Sequence, residues 1–427
     1  MKLRPTLVRS WPYLLAALWL ALGLANLSRG LSHLGPAYRR WAFDHHSYSD
    51  LLAMAGDRYF RGAHPFPYLQ DRIEYPVLLG FALYGPSLVP GGPAAYLATA
   101  YLFLAACAFA SLALLRRLPG TRPFWLAATP ALAYYGGLNW DLFPIALLLA
   151  AVVAFERSRP AVAGSLSALG ASAKLWPVAL LPPAAALLAR RRERSALEEG
   201  ALGALRSFLL VNLPFLLLAP ANWAYFWRFN AQRGAENSTF ELLRLFPRLA
   251  HFTRDPAALN AVTLVLLLPA VALAALAAYA AGPAEGPERM KVVRLGTAFV
   301  LVVWIATNKV WSPQYALWAF AAGALAAAPG WLFALHAALA PLDYHVAFEA
   351  RSSRGLIRFF DRIYFGEEAL RSLAYLLFAL WLGRALWRAA RDAIPGEPRG
   401  ATPSPPTAAG APCACSRADS RSASSAS

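Results

Sequence analysis

"PVLLGFALYGPSLVP", residues 76–90, is strongly apolar but only 15 residues long. An α-helix rises about 1.5 Å per residue, so about 20 residues are needed to cross a hydrocarbon core. Gly80, Gly85, Pro86 and Pro90 weaken it further as a continuous spanning helix. If it crosses, every later segment changes sides. If it is re-entrant or juxtamembrane, its two flanks share one face. The basic connectors decide. These are Arg116/Arg117/Arg122, Arg157/Arg159, Arg190 to Arg194, Arg289/Lys291/Arg294 and Arg384/Arg388/Arg391. With the N-terminus inside and 76–90 not crossing, all of them fall in the cytoplasm, as the positive-inside rule requires.

Working outward, apolar runs fall at about 11–28, 93–115, 123–137, 141–155, 160–173, 175–189, 204–219, 258–281, 293–307, 313–328, 329–347 and 369–388. The chain is 58% hydrophobic and 15% charged, against roughly 25% charged for soluble domains. This predicts an all-α polytopic membrane protein of about twelve transmembrane helices in the plasma membrane, with both termini cytoplasmic. The run Trp11 to Leu27 follows Lys2, Arg4 and Arg9, and its length with many spans behind it reads as a signal anchor. The net charge of +17 comes without a basic repeat or RNA-binding motif, so span-flanking cations explain it and no nucleic-acid partner is expected. Cys107, Cys413 and Cys415 form neither a zinc nor a disulfide framework. Residues 393–427, rich in Ser, Ala and Pro, read as a disordered cytoplasmic tail.

The long polar segments collect on the outside: the first external loop (about 30–92), 137–141, 220–257, 307–315 and 348–368. In the first loop, Leu51, Leu52, Ala55 and Tyr59 have helical spacing, which predicts a helix at the membrane surface starting near Ser49 or Asp50. Asp50 then reads as an N-cap, worth about 1 kcal/mol, or as a reactive carboxylate. Asp57 follows two turns later on nearly the same face, and Glu74 closes the loop. Asp44, His45 and His46 are adjacent on a loop and make a poor metal site, and no Asp-x-Asp pair is present, so no metal is expected. Asp141 either orients a cation or caps the next helix. Lys174 lies between two apolar runs, where an ammonium is expensive unless paired or used. Arg233, near Glu236, serves an anionic ligand or a structural pair. His336, Asp343, His345 and Arg351 lie near the end of a late span, and Arg351 and Arg354 there could approach an anionic phosphate.

"TNKVWSPQYALW" (307–318) places polar groups at the outer mouth of a span. A snorkelling lysine in an aromatic belt accounts for Lys309, Trp311 and Trp318. It does not account for Asn308, Ser312 and Gln314 together. Those groups suit phosphate or sugar hydroxyls, while Pro313 breaks the helix beside them.

Several of these pieces resemble one family. "YSD" (48–50) opening a surface helix, then "EYPVL" (74–78), looks like the first extracytoplasmic loop of the GT-C glycosyltransferases, specifically glycosyltransferase family 87, the polyprenyl-phosphate-mannose-dependent α-mannosyltransferases. "LNWDLFPIALLLAA" (138–151), "GASAKLWPVALLP" (170–182) and "NKVWSPQYALW" (308–318) are similar to its later segments. Ser47 departs from the "CYSD" common there. The resemblance implies a GT-C-like bundle over residues 1–392, Asp50 as catalytic base, and a polyprenyl-phosphate sugar donor with a glycolipid or glycan acceptor in the bilayer. It implies no cofactor. Lys309, Asn308, Ser312, Gln314, Arg233 and Lys174 are then the expected donor-binding residues. Asp57, Glu74, Asp141 and Arg351 are secondary candidates.

Chemistry supports this independently of the resemblance. A lipid-linked phosphosugar needs one carboxylate for the acceptor proton and fixed cations for the departing phosphate. A polyprenyl-phosphate arabinofuranose donor satisfies the same description. A flippase for lipid-linked sugars instead predicts midplane polar residues and internal repeats, and the sequence shows neither clearly.

Overall fold

The computed structural model describes residues 5–284, 286–353 and 357–394. The tail from residue 395 onward, with Cys413 and Cys415, lies outside the described residues, as does Arg354. Every regular element among the described residues is helical.

Helix α1 (Pro5–Ser28) leads into a loop carrying α2 (Tyr38–Asp44), α3 (Asp50–Arg58) and α4 (Val77–Tyr84). Ser49, extended at φ −144°, caps α3 by accepting the Leu51 N–H at 3.1 Å. Its carboxylate neighbour is therefore free for other partners. Buried Leu51, Leu52, Met54 and Ala55 hold α3 against the bundle. Over 76–90, α4 has eight residues and a tight turn Gly85–Leu88 ends it. At about 12 Å, α4 falls well short of a ~30 Å hydrocarbon core.

After α5 (Gly92–Leu115), the expected span 123–137 is two short helices, α6 (Phe124–Ala127) and α7 (Ala131–Tyr135). Pro130, without an N–H, separates them. Next, α8 (Leu142–Glu156) and α9 (Pro160–Ala173) form an antiparallel hairpin, with Ser158 in the left-handed region at φ 54° in its turn. The hairpin sets Asp141 and Lys174 at one end and Arg157 and Arg159 at the other. A 3-10 turn (Trp176–Leu180) starts α10 (Leu181–Arg190), and α11 (Arg194–Leu218) follows. Gly164 of α9 lets α11 approach; a Cβ there would come within 2.0 Å of the Gly200 carbonyl.

Short α12 (Pro220–Trp223) and α13 (Tyr225–Gln232) precede α14 (Pro256–Ala280), which Asp255 caps through the Ala257 and Ala258 amides. Helices α15 (Pro287–Thr307), α16 (Ala316–Leu325), α17 (Gly330–Glu349) and α18 (Ile357–Ala393) complete the bundle. Every residue of α16 is buried, so it forms the bundle's axis. By contrast, Leu210, Leu217 and Leu218 of α11 and Val265 and Leu276 of α14 are exposed. A contiguous apolar exterior of this kind belongs against lipid.

Among the described residues, six helices are long and apolar enough to cross a membrane: α1 with the turn after it, α5, α11, α14, α15 and α18. The expectation of about twelve crossings also counted the shorter or more polar segments α6–α7, α8, α9, α10, α16 and α17. Length and composition alone do not qualify them. At one end of the bundle, Arg294 bonds the Pro119 carbonyl at 2.7 Å and Glu156 at 3.3 Å, and Arg191 reaches the Gly282 carbonyl at 3.4 Å. Four of the five basic connectors, those near 116–122, 157–159, 190–194 and 289–294, meet there.

Candidate active site

The opposite end is organised around Asp50. Its backbone N–H donates to Leu138 O at 2.8 Å, and Ser49 Oγ donates to Gly137 O at 2.6 Å. These two bonds staple the start of α3 to the 137–141 turn. The half-buried Asp50 carboxylate then receives three donors: Tyr48 OH at 2.7 Å, Asn139 Nδ2 at 2.8 Å and Tyr75 OH at 3.2 Å. Asn139 also donates to Tyr75 OH at 2.7 Å, and its Oδ1 accepts the Trp140 amide at 2.6 Å, which fixes the amide's orientation. Burial, and then the Asp50 charge, push the Tyr48 and Tyr75 hydroxyls well up, so both remain donors at neutral pH. Three donors aimed at one acid is the pattern an ionised carboxylate accepts.

A second wall comes from the α8–α9 hairpin. Lys174 Nζ sits 2.5 Å from Asp141 Oδ1, and Trp318 Nε1 donates to the same oxygen at 2.5 Å. The Asp141 side chain makes no capping bond, so of its two sequence readings the cation partner is the one realised. Lys174 also lies 4.9 Å from the Tyr315 ring centroid and 5.8 Å from that of Trp176.

The 307–318 stretch is anchored on a neighbouring loop. Backbone bonds from Glu236 N to Lys309 O (3.0 Å) and Trp311 N to Glu236 O (2.8 Å) tie it to the 230–237 loop. Lys309 is buried and donates to Ala231 O at 3.0 Å. Burial, then the neighbouring Arg233 charge, lowers its pKa to about 8. Arg233 pairs with Glu236, which Arg351 also approaches at 3.6 Å. Two guanidiniums on one carboxylate, with Lys309 beside them, leave a positive surplus.

Other expected residues have local partners. Asn308 Oδ1 accepts the Val310 amide at 3.3 Å, Gln314 is buried, and Ser312 is half-exposed. Asp57 turns outward to Arg39 (3.2 Å) and Arg61 (3.0 Å). Glu74 pairs with Arg58 at 3.4 Å. Among the described residues no group of three or more His, Cys, Asp or Glu is arranged to hold a metal ion.

Sequence reasoning missed Tyr48, Tyr75 and Asn139, although all three lie inside the quoted motifs. It also missed a buried network behind Trp311. Trp311 Nε1 donates to Asp343 at 3.2 Å, and Arg371 bonds Asp343 at 2.5 Å and Glu367 at 2.9 Å while stacking over the Trp311 ring. Arg371, four residues after Glu367 and three after Glu368 inside an apolar helix, was the available signal.

A helical bundle with an apolar exterior carries at one end the Asp50 carboxylate and its three donors, with Lys309, Arg233 and Arg351 clustered on neighbouring loops. The model of Glycosyltransferase family 87 matches residues 74–306, more than half of the 427, and the chain belongs to that family of membrane glycosyltransferases. The matched segment contains Tyr75, Asn139, Asp141, Lys174 and Arg233; Asp50 precedes it and Lys309 follows it. Comparison with curated proteins and with solved structures gave no match.

Proposed function

We propose that the chain transfers a hexose, mannose by its family resemblance, from a polyprenyl phosphate to an extracytoplasmic glycolipid or glycan acceptor, with inversion. The observation that carries this reading is the Asp50 carboxylate, held by Tyr48, Tyr75 and Asn139. The acceptor hydroxyl attacks the anomeric carbon while its proton passes to Asp50, a contribution of about 10²–10⁴-fold. As that bond forms, the bond from the anomeric carbon to the phosphate oxygen breaks. Polyprenyl phosphate leaves as an anion and needs no general acid. Lys309, Arg233 and Arg351 supply fixed positive charge to it as its own charge grows. Lys174, already bonded to Asp141, fixes Tyr315 and Trp176 beside that path. One direct displacement converts a β-linked donor into an α-linked product. The gathering of basic connectors at the far end supports placing this site on the extracytoplasmic side of the plasma membrane.

The test is to give the purified protein radiolabelled polyprenyl phosphomannose, polyprenyl phosphoarabinofuranose and a soluble nucleotide sugar, each with a panel of glycolipid acceptors. Product from the mannose donor alone, α-linked, is the expected result. Product from the nucleotide sugar, or a β-linkage, contradicts the reading.

A further inference from the structure

At the basic end, far from Asp50, three hollows share walls. The first is an apolar groove of about 190 Å³ between α9, α10 and α11, lined by Phe155, Leu181, Leu188, Leu197, Gly200 and Ala204 among others. It exists because α11 packs closely on α9 through its glycines and only lightly on α10. Apolar cavities of about 150 Å³ stay dry and take up hydrocarbon, so water is a poor occupant here. Phe155, Pro160 and Leu188 continue into a second hollow whose far side is Arg191 and Arg289. Those two arginines, with Arg190, line the third.

The groove and the arginines are in register with a membrane leaflet. Residues 197–204 lie three to ten positions beyond Arg194 on α11, about 4–15 Å along the helix. That is the depth of one leaflet of a ~30 Å hydrocarbon core. Arg191 is engaged by Glu193 at 2.5 Å, and Arg190 lies 5.3 Å over the Tyr279 ring. Arg289 Nε is buried with no hydrogen-bond partner among the described residues. Across 190–194 and 285–291 the sequence has six cations against three carboxylates. Glu193 also lines the second hollow, where it is held by Arg191, whereas Glu198 and Glu199 line none of the three.

We propose that this end holds one anionic glycerophospholipid, an acyl chain in the apolar groove and the phosphate on Arg190 and Arg289. The site is separate from the transfer chemistry. Basic residues at this depth attract anionic headgroups, and the groove gives the chain a protein wall on three helices.

The full chain is placed in nanodiscs containing trace phosphatidylglycerol with a diazirine on its acyl chain, irradiated, and mapped by peptide. The control probe is phosphatidylcholine with the same chain. Label in 181–188 and 197–204, at least about fivefold above the phosphatidylcholine probe, is expected. Arg190→Gln/Arg289→Gln should bring the two probes level, and Ala201→Phe should remove label from both, with elution volume and unfolding midpoint confirming the fold. Equal labelling by both probes in the unaltered protein overturns the headgroup site. Label outside these segments overturns the groove. Displacement of the probe by equimolar polyprenyl phosphate overturns the choice of phospholipid.

Discussion

Replacing Lys174 by methionine removes the cation bonded to Asp141 at 2.5 Å. The Asp141 side chain is fully buried and that of Lys174 is 11% exposed. Trp318 Nε1 remains on Oδ1, but Oδ2 has no partner among the described residues. A buried carboxylate left in this state costs about 3–5 kcal/mol when its partner is removed, because water cannot reach the bared charge. Removing both charges with Asp141→Leu/Lys174→Met should recover most of this, to within about 1 kcal/mol of the original chain, since both desolvation costs vanish with the pair. Reversible unfolding of the four chains in mixed micelles gives the cycle directly. A single Lys174→Met cost below about 1 kcal/mol, or a double variant whose cost equals the sum, refutes the buried-pair argument. The double variant also separates roles: if it folds normally but uses donor poorly, Lys174 serves the donor as well as the fold.

Tyr75→Phe and Asn139→Ala each remove a donor to the Asp50 carboxylate, worth about 1.5–3 kcal/mol for a charged partner. Steady-state kinetics should show kcat falling about 10–100-fold with little change in acceptor KM. Lys309 has its pKa lowered to about 8, so it is charged at neutral pH and loses that charge as pH rises through 8. Donor KM should therefore climb above that pH, and Lys309→Arg should flatten the rise because arginine stays protonated; a pH-independent KM in the unaltered chain contradicts this. Ser49→Ala removes the cap of α3 and the bond to Gly137, lowering stability by about 1–2 kcal/mol in a denaturant titration.

The helical path was legible because apolar runs of 15–25 residues mark the helices, and because Gly85 and Pro86 end α4 early. The break at Pro130 was not read, since Thr129-Pro130 lies in an otherwise uniform apolar run. Site chemistry was legible only where a residue type is costly in context. Lys174, Lys309 and Asp141 stood out for that reason, and each has a buried or polar partner. The pairing of Lys174 with Asp141 spans 33 positions and depends on the α8–α9 hairpin, which spacing alone does not show. Tyr48, Tyr75 and Asn139 stayed hidden because tyrosines and asparagines near a membrane surface are ordinary packing and turn residues. Only their convergence on one carboxylate distinguishes them. For Asp50, spacing alone favoured a cap and the family resemblance a catalytic base; Ser49 fills the cap.

The account depends most on the carboxylate that Tyr48, Tyr75 and Asn139 hold, and the decisive measurement is single-turnover sugar transfer by Asp50→Asn with preloaded donor. Donor retention unchanged and transfer slowed about 10²-fold or more is the predicted result. Transfer at a rate near that of the unaltered chain contradicts it, and would move the proton acceptor away from the start of α3.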